Sequence, residues 1–189
     1  MTNSRDTPRE QALPVPPLDN GQLPMGRWVC TPDEVEAAFA PANSPHRREL
    51  WDHWSQLAEA LRQAVGEVAA CWLAGSYFTD KAQPADIDCV WVVDSQRWTA
   101  AINSGDPRLV AFLLATAQGG LKNAYGLKVD SYLMEWMPTP GVGRDVSTEV
   151  YLGNRGYWDN LWVRMRDSDA RLASVPRRGY LEVIIDGYR

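Results

Sequence analysis

The chain is 189 residues long, with 45% hydrophobic and 23% charged residues, which is enough apolar content to bury a core and too much for a disordered chain. Its formal charge of −5 excludes a protein that coats nucleic acid through a broadly basic surface. No apolar run approaches the roughly 18 residues that cross a bilayer, and the opening MTNSRDTPREQ has no apolar signal core, so the expectation is a cytoplasmic protein with no membrane partner.

Residues 1–24 are polar and carry Pro8, Pro14, Pro16, Pro17 and Pro24. Such a stretch buries too little apolar area to offset its ordering entropy. It reads as a flexible proline-rich arm whose Leu-Pro pieces dock on the body, and residues 25–189 read as a single domain. Thr31-Pro32-Asp33-Glu34 has the form of a capping box and starts a short helix that ends before Pro41. A second helix runs from about Pro45 to Gly66, because Leu50, Trp51, Trp54, Leu57, Ala58, Leu61 and Val65 recur at helical spacing. His46 and His53 have no metal-ligand partner at that spacing and read as surface residues.

Val68 to Ala74 is a nearly continuous apolar run stopped by Gly75, the pattern of a buried strand. Ile87 to Val93 (IDCVWVV) is a second strand, rich in β-branched and aromatic residues. Asp106-Pro107 opens a third helix that Gly119-Gly120 closes. Leu127 to Met134 is another strand, interrupted by Asp130. Tyr157 to Met165 is compatible with helix or strand, and Tyr180 to Ile185 reads as a final strand. The fold class is α+β (or α/β), a small mixed sheet flanked by helices. Most of the nine Trp are expected in the core, and Cys71 and Cys89 sit in apolar runs as reduced thiols.

Chemistry concentrates in residues 73–93, LAGSYFTDKAQPADIDCVWVV. A strand delivers Gly75-Ser76 at its end. After residues 77–85 comes Asp86-Ile87-Asp88, which enters the next strand with both carboxylates on one face. Two carboxylates so close repel each other, and a divalent cation is the usual resolution. Gly75 lets backbone approach a phosphate, and Ser76 offers a hydroxyl and an amide to phosphate oxygens. Asp130 interrupts the apolar run LKVDSYLM, where an unpaired buried charge costs several kcal/mol, so it either faces a cleft or meets a cation. Lys81 lies in the connecting turn, where a cation could touch the phosphates. Arg164, Arg166, Arg171, Arg177 and Arg178 form a basic segment diluted by Asp167 and Asp169, and read as a solvated face. There is no Gly-x-x-x-x-Gly-Lys-Ser/Thr loop, no Cys-x-x-Cys pair and no Gly-x-Ser-x-Gly elbow.

An apolar strand, Gly-Ser, a spacer of this length, Asp-x-Asp and a later strand-borne Asp together resemble the nucleotidyltransferase superfamily of polymerase-β type. GSYFTDKAQPADID with the upstream Arg47-Arg48-Glu49-Leu50-Trp51 looks like a small prokaryotic and phage family of unknown function within it. The resemblance covers roughly residues 23–135 and implies a minimal nucleotidyltransferase fold. It implies Mg²⁺ (or Mn²⁺) held by Asp86, Asp88 and Asp130, and a nucleoside triphosphate held by Gly75 and Ser76. It also implies transfer of a nucleoside monophosphate to a hydroxyl of RNA, protein or a small molecule. Small stand-alone relatives often act in toxin–antitoxin or phage-conflict settings, which implies a protein partner or antitoxin. The departure is the C-terminus, which has no recognisable helical domain for base or acceptor. Two alternatives stay open: a non-catalytic module that grips a protein partner, and a regulator that senses triphosphate without turning it over.

Overall fold

In a computed structural model, which describes residues 15–137 and 146–188, the apolar runs of the sequence become strands of one mixed sheet. These are β1 (Arg27–Cys30), β2 (Ala70–Ala74), β3 (Ile87–Asp94), β4 (Val129–Trp136) and β5 (Tyr180–Ile184), in the spatial order β1-β5-β2-β3-β4. β2 runs antiparallel to both β3 and β5, while β3 pairs with β4 and β1 with β5 in parallel. Helices α1 (Pro32–Phe39), α2 (Pro45–Val65), α3 (Ser95–Ile102), α4 (Pro107–Ala117), α5 (Leu121–Tyr125), α6 (Val146–Trp162) and α7 (Ala170–Ala173) connect and cover it. The architecture is α+β.

The period-2 alternation of the strands sorts their side chains between two cores. On one face Cys71, Leu73, Ile87, Cys89, Trp91, Val93, Leu181 and Val183 pack with Leu50, Trp54, Leu57 and Leu61 of α2 and with Trp98 and Leu113. Trp54 is the pivot of that contact, stacked 4.4 Å from Trp51 and 5.5 Å from Trp91 between ring centroids. On the other face Trp72, Ala74, Val90, Val92, Met134 and Tyr180 pack with Tyr151 and Trp162 of α6. Burial of aromatic area on both faces makes the sheet a rigid platform for whatever stands at its ends.

The capping box at Thr31 forms as expected: its side chain accepts from the Glu34 amide, and the Glu34 carboxylate accepts from the Thr31 amide at 2.8 Å. The stretch from Tyr157, open between helix and strand, lies in α6 as far as Trp162, because Tyr151, Trp158 and Trp162 fall on one helical face against the sheet. Four elements were not expected: β1, α3 and the short helices α5 and α7. β1 is four residues with alternating exposure, too short for a periodic signal. α3 follows β3 without a loop, capped by Asp94, whose side chain accepts from the Gln96 and Arg97 amides.

Of two other expectations, the first is met in part and the second is corrected. The docking expected of the Leu-Pro pieces of residues 1–24 is present at Leu23, which is 3% exposed, and Val15 and Leu18 also lie against the core. A tight bridge between Asp19 and Gln22 sets Gly21 against Asp80, whose amide donates to the Gly21 carbonyl at 3.1 Å. Apolar side chains between the prolines supply the burial that composition averaged away; residues 1–14 lie outside the described residues. His46 and His53 are half-buried rather than surface residues. The His46 Nε2 lies 2.6 Å from the Pro84 carbonyl, and His53 Nδ1 accepts from the Lys128 amide at 3.2 Å. Among the described residues no helix is long and apolar enough to cross a membrane.

Candidate active site

β2 ends at Ala74 in register with Asp88, and the chain leaves the sheet through Gly75. Gly75 has φ +86°, a conformation that side-chain-bearing residues rarely adopt. A β-carbon there would also lie 1.7 Å from Oδ2 of Asp88, so the missing side chain is what lets the carboxylate lie against the bend. Ser76 to Phe78 then make one 3-10 turn. Ser76 is half-buried, and its carbonyl accepts from the Thr79 hydroxyl at 2.8 Å.

The loop beyond the bend is held by the start of α2. The Arg47 guanidinium donates to the carbonyls of Tyr77 at 2.6 Å, Thr79 at 2.8 Å and Lys81 at 2.8 Å. It also lies 5.1 Å from the centroid of the Tyr77 ring, while the Tyr77 hydroxyl donates back to the Arg47 carbonyl at 2.9 Å. One side chain thus satisfies three alternate carbonyls of the chain between the Gly-Ser bend and Asp86.

Asp88 and Asp130 are direct partners in the parallel register of β3 and β4, on strands that run about 4.8 Å apart. Both belong to the α6 face of the sheet, because Ile87, Cys89 and Val129 point to the other core. Asp86 precedes β3, and its charge reaches both of the others. The carboxyl of Asp88 is pushed up to about 6, first by burial and then by the charges of Asp86 and Asp130. Burial likewise raises Asp130, opposed by the Tyr132 hydroxyl, which donates to its Oδ2 at 3.4 Å. Asp130 makes no ion pair with Lys128, which is joined to Glu49 at 2.7 Å. Gly119 mirrors Gly75 on this side: it has φ +73°, and a β-carbon there would lie 3.0 Å from Asp130 Oδ1.

Positive charge comes to these carboxylates from a direction that the sequence did not single out. Arg178 and Arg166 oppose the upward shift of Asp88, and Arg166 and Lys122 oppose that of Asp130. The basic segment read as a solvated face is therefore divided. Arg171 is exposed and Arg177 pairs with Asp167 at 3.0 Å, whereas Arg178 is half-buried, and its Nε donates to the Trp162 carbonyl at 3.0 Å. Lys81 has an exposed side chain and gives its carbonyl to Arg47. Arg47, Arg166 and Arg178 carried no local signal beyond charge, because nothing along the chain tells which arginine will face the sheet end.

By donor type the three aspartates suit a hard divalent cation, being all oxygen and all of one sign. Among the described residues, however, no three His, Cys, Asp or Glu side chains are grouped so as to hold a metal ion as they stand. The Asp88 carboxylate is turned against Gly75.

No curated protein and no solved structure matches the chain. Residues 16–184 match the family model described as Family of unknown function (DUF6932), which includes the packed part of the N-terminal segment and all five strands. The chain belongs to that family of unknown function.

Proposed function

We propose that this protein is a Mg²⁺-dependent nucleotidyltransferase that moves a nucleoside monophosphate from a nucleoside triphosphate onto a hydroxyl of RNA, protein or a small molecule. The observation that carries the reading is the in-register pairing of Asp88 with Asp130 beside the Gly75-Ser76 bend. Two half-buried carboxylates on adjacent strands, with the charge of Asp86 added, destabilise the native state unless something positive joins them. A fold that keeps them together at a glycine-lined sheet end is suited to collecting a cation and a phosphate chain there.

In the reaction proposed, the acceptor hydroxyl oxygen bonds to the α-phosphorus and its proton passes to solvent. The bond from the α-phosphorus to the oxygen bridging to the β-phosphate breaks, and pyrophosphate leaves with that electron pair. Asp86, Asp88 and Asp130 would hold the divalent ion, which when bound neutralises charge on the attacking and leaving oxygens. Gly75 and Ser76 would offer backbone and hydroxyl donors to phosphate oxygens. Arg47 positions that bend through the loop carbonyls it binds. With a net charge of −5, the acceptor would be gripped locally and not by a broad basic surface. A toxin–antitoxin or phage-conflict setting, with an antitoxin-like protein partner, is the context proposed for it.

The aspartates do not stand as a closed ligand set, which favours binding without turnover as the second reading. Incubation with α-labelled triphosphates, Mg²⁺ or Mn²⁺ and a cell extract separates the two. We expect label to move from the α-position and not from the γ-position, and to be lost when Asp88→Asn and Asp130→Asn are combined. Transfer that survives that double substitution removes the mechanism, and triphosphate binding with no transfer selects the sensor.

A further inference from the structure

We propose that Arg178, assisted by Arg166, grips the polyphosphate of the substrate at this sheet end. The inference rests on the reading of the site as one for a nucleoside triphosphate, and deepens it by naming the cationic side of that site.

Strand register brings Arg178 to the site. β2 and β5 pair Ala70 with Ile184 and Leu73 with Leu181, one step forward on β2 for each step back on β5. The strands are antiparallel, so the start of β5 adjoins the end of β2, and Arg178 lies two residues before that start, near where the Gly75-Ser76 bend leaves the sheet. Asp88 flanks the end of β2 from the opposite neighbour, β3. The bend therefore leaves the sheet between β3, which carries Asp88, and β5, which Arg178 precedes by two residues.

The side of the sheet agrees. Tyr180, two residues on from Arg178, faces the α6 core with Trp72 and Ala74, as the strand alternation requires. Arg178 itself is tied to the last turn of α6, with Nε on the Trp162 carbonyl and its amide on the Val163 carbonyl at 3.2 Å. Gly179 anchors the strand start, its amide donating to the Leu23 carbonyl at 2.9 Å. Arg178 is thus fixed at its backbone and at Nε, and among the described residues its two terminal guanidinium nitrogens have no hydrogen-bond acceptor.

Charge accounting gives the arginine its role. Among the described residues Arg178 and Arg166 form no ion pair, although Arg177 beside them does. Burial lowers the pKa of Arg178, opposed by the charge of Asp88. A guanidinium partly withdrawn from water and left without a carboxylate against it is costly unless an anion completes it. With Asp86, Asp88 and Asp130 holding a divalent ion, the Arg178 guanidinium would suit phosphate oxygens in charge and in the fork of its donors. Arg166, exposed and acting on both Asp88 and Asp130, supplies a second cation at the rim.

The test uses the full chain and calorimetric titration with a non-hydrolysable α,β-methylene nucleoside triphosphate in Mg²⁺, repeated with inorganic tripolyphosphate. Arg178→Gln should weaken both probes by roughly tenfold or more, the loss of a charged bidentate contact. Arg166→Gln should weaken them a few-fold, and Arg171→Gln, the same charge change on an exposed neighbour, should leave them unchanged. If Arg178→Gln does not fold, Arg178→Lys and Arg166→Gln serve instead: Arg178→Lys keeps the charge without the fork, and each should weaken binding several-fold. Wild-type affinity in Arg178→Gln, or in both substitutes, overturns the inference while leaving the triphosphate reading intact. An equal loss in Arg171→Gln also overturns it, since net charge alone would then explain the effect. If the wild type binds neither probe, the triphosphate reading and this inference fall together. If it binds through Arg178 but transfers nothing, nucleotidyl transfer fails and Arg178 keeps its role.

Discussion

The Asp88 carboxylate fills the space in which a side chain at position 75 would begin, with Oδ2 lying 1.7 Å from where a β-carbon of Gly75 would stand. Bend and carboxylate are therefore one packing unit, although they lie on different strands. Gly75→Ala meets two costs, a left-handed φ worth roughly 1–3 kcal/mol and the expulsion of Asp88 from its seat. We expect denaturant midpoints to report a loss of that order or more. Adding Asp88→Ala should recover the steric share and leave the backbone share. Strictly additive losses in the double variant would contradict the contact.

The electrostatics of Asp88 give a pH signature. Its carboxyl is raised to about 6 by burial and then by Asp86 and Asp130, whereas an unfolded-chain Asp titrates near ~3.9. Between those values the native state holds a proton that the unfolded state has released. The stability conferred by that proton is full below about pH 4 and is lost as pH rises through about 6. In chelator-treated buffer, Asp88→Asn should therefore melt above the wild type at pH 7.5, and the difference should shrink as pH approaches 4. Thermal melts across that range check this; a gap that does not change with pH would show that Asp88 is not the titrating group.

The same stress predicts a response to divalent ions. At pH 7.5, Mn²⁺ or Mg²⁺ should raise the melting temperature of the wild type by mass action on the folded state. Asp88→Asn and Asp130→Asn should each weaken the half-saturating metal concentration by roughly tenfold. A shift of equal size in all three proteins would locate the ions elsewhere on this acidic chain.

Arg47 is the residue on which the bend's loop depends. Its substitution by Ala leaves the Tyr77, Thr79 and Lys81 carbonyls without their charged donor. The expected cost is about 2–4 kcal/mol, since hydrogen bonds to charged groups are individually strong but not additive. Arg47→Lys should recover less than half, because an ammonium lacks the planar fork that reaches separate carbonyls. Hydrogen exchange should rise over residues 76–84 more than over β3. Exchange that rises equally across the sheet would mean that Arg47 supports the whole fold and not the loop.

Most elements were legible because their signals are local. Six helical turns of α2 repeat the same apolar stripe, and β2 is apolar throughout because both its faces are buried. β1 was not legible, since four residues of alternating exposure resemble loop. For the N-terminal segment the docking of Leu-Pro pieces was legible, but not its extent, since prolines dominate the composition while Val15, Leu18 and Leu23 make the contacts.

By itself the sequence determined four of the five strands and the longer helices α2 and α4, that both sheet faces are apolar, and that a Gly-Ser bend precedes two closely spaced aspartates. Periodicity and residue chemistry act over a few neighbours and are read there. Only the tertiary structure decided that β4 lies against β3 in a register that sets Asp130 beside Asp88, and that β5 inserts next to β2 with Arg178 two residues before its start. Strand order joins residues some hundred positions apart, and its energy comes from burying both faces of the whole sheet, so no short stretch of the chain carries it.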